Sequence, residues 1–327
     1  VVSDVLEKGV YLDSFLAPLA PFLDQPNVTD IYVNRPGEVW TEALGGAIER
    51  HSCEALTEAV LMRLARQVAA RSAQGISREH PLLAASLPCG SRIQVVAPPA
   101  TRDAPAIAIR KHVAAQLSLA DYAQAGAFDG LEAAEVDLGR TTRFERLGGQ
   151  GAFEVLQKAV LARRNILISG GTSSGKTTFL NALLRAIPEQ ERLILIEDTP
   201  ELEMTHANSV GMLAARSALS ETGLEAEDLL IAALRMRPDR IILGELRGRE
   251  AYTFLRTVNT GHPGSMTTIH ADSPVRAIEQ LALLVLQSGA RLHWDDVLHY
   301  VRSSIDVFVQ LERKGGRRKV TEVMVRQ

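Results

Sequence analysis

Asn165-Ile166-Leu167-Ile168-Ser169-Gly170-Gly171-Thr172-Ser173-Ser174-Gly175-Lys176-Thr177-Thr178-Phe179-Leu180 is the stretch that decides the fold. It opens on an apolar run of strand length, passes through a segment rich in glycine and serine, and ends in the start of an apolar helix. Together these match the phosphate-loop pattern GxxxxGK[ST] in the strand–loop–helix setting that the pattern requires. Each residue type has a chemical reason. Glycines allow φ > 0 and bring successive backbone N–H groups against phosphate oxygens with no Cβ in the way. Lys176 supplies a point charge to β- and γ-phosphates, the Thr177 hydroxyl can ligate Mg²⁺, and the helix N-terminus adds partial positive charge. Gly170, Gly171, Thr172, Ser173, Ser174, Gly175, Lys176, Thr177 and Thr178 are therefore the candidate contacts of a nucleoside triphosphate. Taken alone, the loop does not separate an ATPase from a small-molecule kinase or a GTPase.

Downstream, such a loop needs one carboxylate to hold Mg²⁺, directly or through water, and another to polarise the attacking water. Both belong at the C-terminal ends of neighbouring strands. The run Leu193–Ile196 leads into Glu197-Asp198-Thr199-Pro200-Glu201, and Arg240–Leu243 leads into Gly244-Glu245-Leu246-Arg247. Glu197 and Glu245 are the candidates, the bland alternative for each being a carboxylate that caps a following helix. A third run, Gly264–Ile269, ends in His270, after which Ser273-Pro274 starts an amphipathic helix with a cap and a first-turn proline. A histidine there can contact the γ-phosphate or relay its presence; it can equally be a buried structural residue.

Helix-like segments at 153–163, 177–185 and 224–236 alternate with strand-like ones at 165–169, 192–196 and 240–243. This alternation implies an α/β fold with a mostly parallel sheet and crossover helices. The tail reads as a hairpin around Gly315-Gly316. Upstream, residues 27–43 alternate apolar and polar on both sides of Arg35-Pro36-Gly37, a hairpin signal. Leu56, Val60, Leu61, Leu64 and Val68 then recur at helical spacing, and short strands follow at 92–97 and 106–110. The expected organisation is a mixed α+β module over 1–112, a connecting region with short helices over 113–150, and a phosphate-loop domain over 151–327.

Composition sets the outer bounds. A chain of 327 residues suits about two domains. With 36 basic against 39 acidic residues, nothing global draws it to nucleic acid or an anionic membrane. Aromatics, at 5%, are too sparse for a surface of base-stacking platforms. Cys53 and Cys89 stand far apart with no Cys/His cluster, which indicates neither a disulfide framework nor a zinc site and suits a reducing cytoplasm. Apolar stretches such as Leu281–Leu286 fall far short of the ~20 residues of a membrane span. No basic region followed by an apolar run opens the chain, so no signal peptide is expected.

Four blocks, GGTSSGKTT, IEDTPEL, ALRMRPDRIILGELRGREA and NTGHPGSMTTIHADSPVRAIEQLALLV, cover much of 165–287. In order and spacing they resemble the hexameric secretion ATPases of the type II/type IV secretion superfamily, and most closely the traffic ATPases of type IV secretion systems. There the blocks are called Walker A, Asp box, Walker B and His box. The resemblance implies a RecA-like ATPase domain behind a PAS-like N-terminal module, with ATP and Mg²⁺ as cofactors. It makes Glu245 the residue that serves magnesium and water, Glu197 the Asp-box carboxylate, and His270 the sensor or positioner of the γ-phosphate. SRIQVVAPP and AIAIRKH resemble strands whose arginines close over the nucleotide, which singles out Arg92 and Arg110; otherwise these are two solvated strand arginines. The resemblance further implies a homo-hexamer at the cytoplasmic face of the inner membrane, held there by other components of the secretion machine and passing protein or DNA cargo. The four-cysteine zinc cluster frequent in the type II and pilus-motor branch has no counterpart. A related pilus-assembly or conjugation ATPase, a RecA-like DNA motor and a nucleotide-gated scaffold are the competing readings.

Overall fold

The computed structural model describes residues 12–43, 47–111, 117–137, 143–214, 224–314 and 317–327. They form two compact units, one holding the described residues up to 111 and the other those from 117 onward.

The first unit is an antiparallel sheet with a helix packed on it. Its strands are β1 (Val28–Val33), β2 (Gly37–Ala43), β3 (Ile48–Cys53), β4 (Leu82–Ser86), β5 (Arg92–Val96) and β6 (Ala106–Arg110), in the order β3-β2-β1-β6-β5-β4. The β1–β2 hairpin follows from its alternating pattern, and Gly37, at φ +84°, takes the left-handed turn position that a side chain would resist. The helix Glu58–Arg71 starts where the Thr57 side chain accepts a hydrogen bond from the Val60 N–H at 3.3 Å. Its apolar stripe, Leu61, Leu64, Ala65, Val68 and Ala69, is buried against Ile31, Val39, Ile93, Val95 and Ile109. The edge strands β3 and β4 have no counterpart in the sequence pattern. Every β3 residue is exposed or half-buried, so no apolar alternation marks that strand.

The second unit is built on a nine-stranded sheet. Its strands are β7 (Ala134–Asp137), β8 (Arg143–Arg146), β9 (Ile166–Gly170), β10 (Leu193–Glu197), β11 (Ser209–Leu213), β12 (Arg240–Leu243), β13 (Met266–Ile269), β14 (Val307–Lys314) and β15 (Arg317–Arg326). Their order is β11-β10-β12-β13-β9-β14-β15-β8-β7. The six strands from β11 to β14 run parallel, and β15, β8 and β7 continue the sheet antiparallel. Both faces are covered. Leu167, Ile194, Ile196, Ile241 and Leu243 pack into one core with Phe254, Leu281 and Val301, while Ile166, Ile168, Leu193, Leu195 and Ile242 pack into another with Leu156, Phe179 and Leu183. Strands buried on both sides read as continuous apolar runs, which is why β9, β10 and β12 are visible in the sequence.

The stretch read as a connecting region belongs, in its described part, to this second unit. The Ser118 hydroxyl and the Asp121 carboxylate form a capping box that starts the helix Leu119–Gln124, which buries Leu119 and Tyr122 beside Phe179 and Leu180. β7 and β8 then extend the sheet. The apolar residues here are few, and the helix that carries Leu119 and Tyr122 is only six residues long, so the periodicity is too short to mark a domain. The turn at Gly315-Gly316 lies outside the described residues, but the strands flanking it pair as the hairpin expected.

One feature of the order governs the site. β13 lies between β9, which carries the phosphate loop, and β12, which leads to Glu245. All three are parallel, so the loop, Glu245 and His270 emerge at the same edge of the sheet.

Candidate functional site

The phosphate loop is tightly folded. Ser173, at φ 60°, and Gly175, at φ +93°, occupy left-handed positions. A Cβ on Gly170 would fall 2.5 Å from Ser174 Oγ and 2.6 Å from the Leu311 carbonyl oxygen, so only glycine fits there. The helix Lys176–Leu184 begins directly at Gly175 without a side-chain cap, which leaves its first N–H groups to a ligand. The buried Ser174 hydroxyl has no hydrogen-bond partner among the described residues. Uncapped N–H groups and an orphaned hydroxyl around a glycine cradle are what an incoming phosphate would satisfy.

Lys176 is only 8% exposed. Its Nζ donates to the carbonyls of Gly170 at 2.8 Å and Gly171 at 3.2 Å, and lies 3.5 Å from His270 Nδ1 and 3.9 Å from Glu245 Oε1. Burial pushes its pKa down; the Glu245 charge opposes that and Arg247 adds to it. His270 Nε2 lies 2.8 Å from Glu245 Oε1. Burial also lowers the pKa of this imidazole, with Glu245 opposing and Lys176 and Arg247 reinforcing. A neutral ring that donates from Nε2 to Glu245 and accepts at Nδ1 from Lys176 makes both contacts complementary, which assigns the tautomer from its partners.

Sequence reading singled out these three residues, but not the two that brace them. Arg247 pairs with the second oxygen of Glu245 and, at 3.3 Å, with Asp198 Oδ2 at the end of β10. Both lie inside motif blocks, and an acid and a base on adjacent strand-end loops are the signal that could have found them. Gln310, on β14 and 3% exposed, was also missed. Its Oε1 accepts from Ser169 Oγ at 2.5 Å and its Nε2 donates to the Ala271 carbonyl at 3.1 Å, tying the base of the phosphate loop to the residue after His270. A glutamine inside the apolar run VFVQL was its signal, since a buried amide must find partners.

Glu197 shapes a turn. Its Oε2 accepts from the N–H groups of Glu201 at 2.7 Å and Leu202 at 2.9 Å. Gly244 makes room for it, because a Cβ there would come within 3.2 Å of Glu197 Cβ. Asn181, on the helix behind the phosphate loop, binds the same turn through the Glu201 carbonyl and the Glu203 N–H, each at 3.0 Å. Arg92 and Arg110 belong to the first unit, where β5 and β6 set them directly opposite each other. Arg110 Nε donates to Asp30 Oδ1 at 2.8 Å. Thr177 and Glu245 offer a hydroxyl and a carboxylate, hard oxygen donors suited to Mg²⁺. Among the described residues no group of three or more His, Cys, Asp or Glu side chains is arranged to hold a metal ion.

Comparison with known proteins identifies the family. A family profile described as "Type II/IV secretion system protein" matches residues 14–317. The chain is 40% identical over 326 residues to the type IV secretion system protein VirB11 of Bartonella quintana (strain Toulouse), covering 94% of this chain and 91% of that protein. It is 38% identical over 332 residues to the type IV secretion system protein PtlH of Bordetella pertussis (strain Tohama I), covering 98% and 96%. In fold it is similar to the pilus retraction motor PilT solved with bound ADP, with a TM-score of 0.60, 20% identity, and 96% of this chain and 82% of that chain covered. That likeness agrees with an N-terminal domain followed by a RecA-like ATPase domain. A match running nearly end to end at this level of identity makes the chain a member of the type II/IV secretion system protein family, as a VirB11-like type IV secretion ATPase.

Proposed function

We propose that the chain hydrolyses ATP with Mg²⁺ and works as a homo-hexamer that powers a type IV secretion machine, with protein or DNA as cargo. The observation that carries the hydrolytic part is the contact set Lys176–His270–Glu245 at one edge of three parallel strands. Lys176 is an ammonium held out of water, so an anionic phosphate tail gains more from it than from a solvated lysine. Glu245, fixed on one oxygen by His270 and on the other by Arg247, is placed to orient water and accept its proton. His270 touches both Lys176 and Glu245 and so links the phosphate-binding group to the water-activating one. Glu197 acts by positioning, since the turn it holds begins at Asp198, the partner of Arg247. Mg²⁺, when bound by Thr177 and Glu245, would neutralise charge on the β- and γ-phosphate oxygens.

Arg92 and Arg110 would supply guanidinium charge to the γ-phosphoryl group when the first unit closes over the nucleotide. Their side-by-side register on β5 and β6 supports a shared role, and the Asp30 contact holds one of them in place. Of the expected module 1–112, connector 113–150 and ATPase domain 151–327, this reading counts the described residues of 117–150 with the ATPase domain. Among the described residues no helix is long and apolar enough to cross a membrane; inner-membrane attachment on the cytoplasmic side would run through other components of the machine.

ATPase assays with and without EDTA, together with the mass of the assembly with and without ATP·Mg²⁺, test the proposal. Metal-dependent phosphate release and a six-subunit particle are expected. No hydrolysis under any condition would remove the enzymatic reading, and a strict monomer would remove the ring. Stimulation of the rate by DNA alone would move the assignment to a DNA motor.

A further inference from the structure

Arg318 stands at the phosphate loop without a carboxylate partner among the described residues. It lies on β15, two strands from β9. Its Nη1 donates to Thr178 Oγ1 at 3.3 Å. Its stem crosses the loop so closely that a Cβ on Gly175 would fall 2.6 Å from Arg318 Cδ and 3.1 Å from Nε. Gly175 is glycine because of its φ of +93°, and the arginine stem is laid across the face that carries no Cβ. A guanidinium carries five N–H donors, and one neutral hydroxyl is the single acceptor found for this one among the described residues.

Within reach of its charge lies a second group that has no hydrogen-bond partner among the described residues. Tyr122 is 4% exposed, its ring meets Phe179 edge-on at 5.1 Å between centroids, and its buried hydroxyl has no hydrogen-bond partner among the described residues. Arg318 is near enough for its charge to oppose the burial that pushes the Tyr122 phenol up to about 12. Tyr122, Phe179, Thr178 and Arg318 thus form a corner at the first turn of the Lys176–Leu184 helix, beyond Lys176.

Position along the loop decides which part of a nucleotide this corner meets. Lys176 reaches toward the β- and γ-phosphates, so groups two residues further into the helix face the α-phosphate and the nucleoside. A planar fork of donors matches two phosphate oxygens at once.

We propose that Arg318, on the C-terminal hairpin, binds the α-phosphate of the nucleotide and holds its nucleoside end against the phosphate loop. This rests on the reading of the loop as an ATP site. The role differs from that of Arg92 and Arg110, because an α-phosphate contact is made alike to ATP and ADP and stays uniform through hydrolysis.

The full-length protein and three variants test it. Arg318→Met keeps the stem over Gly175 and removes the charge, Arg318→Lys restores a charge without the fork, and Arg318→Gln serves if the methionine variant fails to fold. ADP and ATP affinities are measured by calorimetry, alongside steady-state kinetics and the melting temperature without nucleotide. Loss of one charge-assisted contact predicts about tenfold weaker binding of both nucleotides. KM should rise to match, kcat should stay within about twofold, and the lysine variant should recover part of the loss. If the parent binds ADP and Arg318→Met binds it equally well, the inference is overturned. A loss confined to ATP also overturns it, since that would be a γ-phosphate contact. A parent that binds neither nucleotide would instead defeat the reading of the loop itself.

Discussion

His270 Nε2 lies 2.8 Å from Glu245 Oε1, joining the ends of β12 and β13 beyond the point where their backbone ladder stops at Leu243 and Thr267. The contact holds the carboxylate in place from the side on which Lys176 also approaches.

Glu245→Gln keeps the shape of that side chain and removes its ability to take a proton. Nucleotide binding should stay within about threefold of the parent while turnover drops by about 10²–10⁴, the range for loss of a general base. Equilibrium ADP binding and single-turnover phosphate release measure the two halves. Hydrolysis at the parental rate would move the water-activating role away from Glu245.

Lys176→Ala should abolish turnover and the thermal stabilisation by nucleotide, yet leave the melting temperature of the free protein nearly unchanged. The substitution removes two hydrogen bonds to carbonyls, but it also relieves an ammonium held out of water. These oppose each other, so the net effect should lie within about 1 kcal/mol. Scanning calorimetry with and without ADP decides it; retained stabilisation by ADP would show that the phosphates bind elsewhere.

Gln310→Met should lower kcat with little change in KM. The amide bridges Ser169 and Ala271, so its loss frees the His270 loop from the base of the phosphate loop. It also leaves the buried Ser169 hydroxyl only the Val309 carbonyl, at 3.3 Å, which should lower stability by about 1 kcal/mol. A melting temperature lowered together with an unchanged kcat would make the bridge purely structural.

Arg240 and Glu191 form a buried pair at the opposite edge of the sheet. Arg240 is fully buried and binds Glu191 through two hydrogen bonds of 2.7 and 2.8 Å. Arg240→Met removes both hydrogen bonds and leaves Glu191 only Arg163, at 3.3 Å, so it should cost about 3 kcal/mol, while pairing it with Glu191→Gln should restore much of the loss. The pair also sets an acid limit. Hydrogen bonding from Arg240 holds the Glu191 carboxyl below its usual value of 4.5, with Arg163 helping and burial opposing. Its stabilisation is therefore complete above about pH 4.5 and is lost as pH falls through the lower folded-state value. Urea melts at descending pH should show that loss in the parent and not in Glu191→Gln.

How much was legible in the sequence depended on where each residue finds its partners. β9, β10 and β12 are buried at every position, so their apolar runs announce them. Glu245 and His270 follow such runs and could be singled out, although their contact with each other could not, since sheet order creates it. Phe144 is buried against Phe308 at 5.7 Å between centroids, but no neighbour in sequence shares its environment, so the 113–150 stretch looked like a connector. β11 is an edge strand with Gly211 and Leu213 exposed, which blurs its pattern. Arg318 resembles any charged residue in a basic tail until β15 is laid against β14 and the loop.

The strand inserted between β9 and β12 sets the spacing of the candidate site. Two inter-strand steps separate the backbones that carry Lys176 and Glu245, roughly 10 Å, and each step is fixed by the pairing of Met266 with both Ile166 and Ile242. No rotamer change can alter that backbone spacing. Any stroke that the nucleotide drives must therefore come from parts that move over this edge, not from the edge itself.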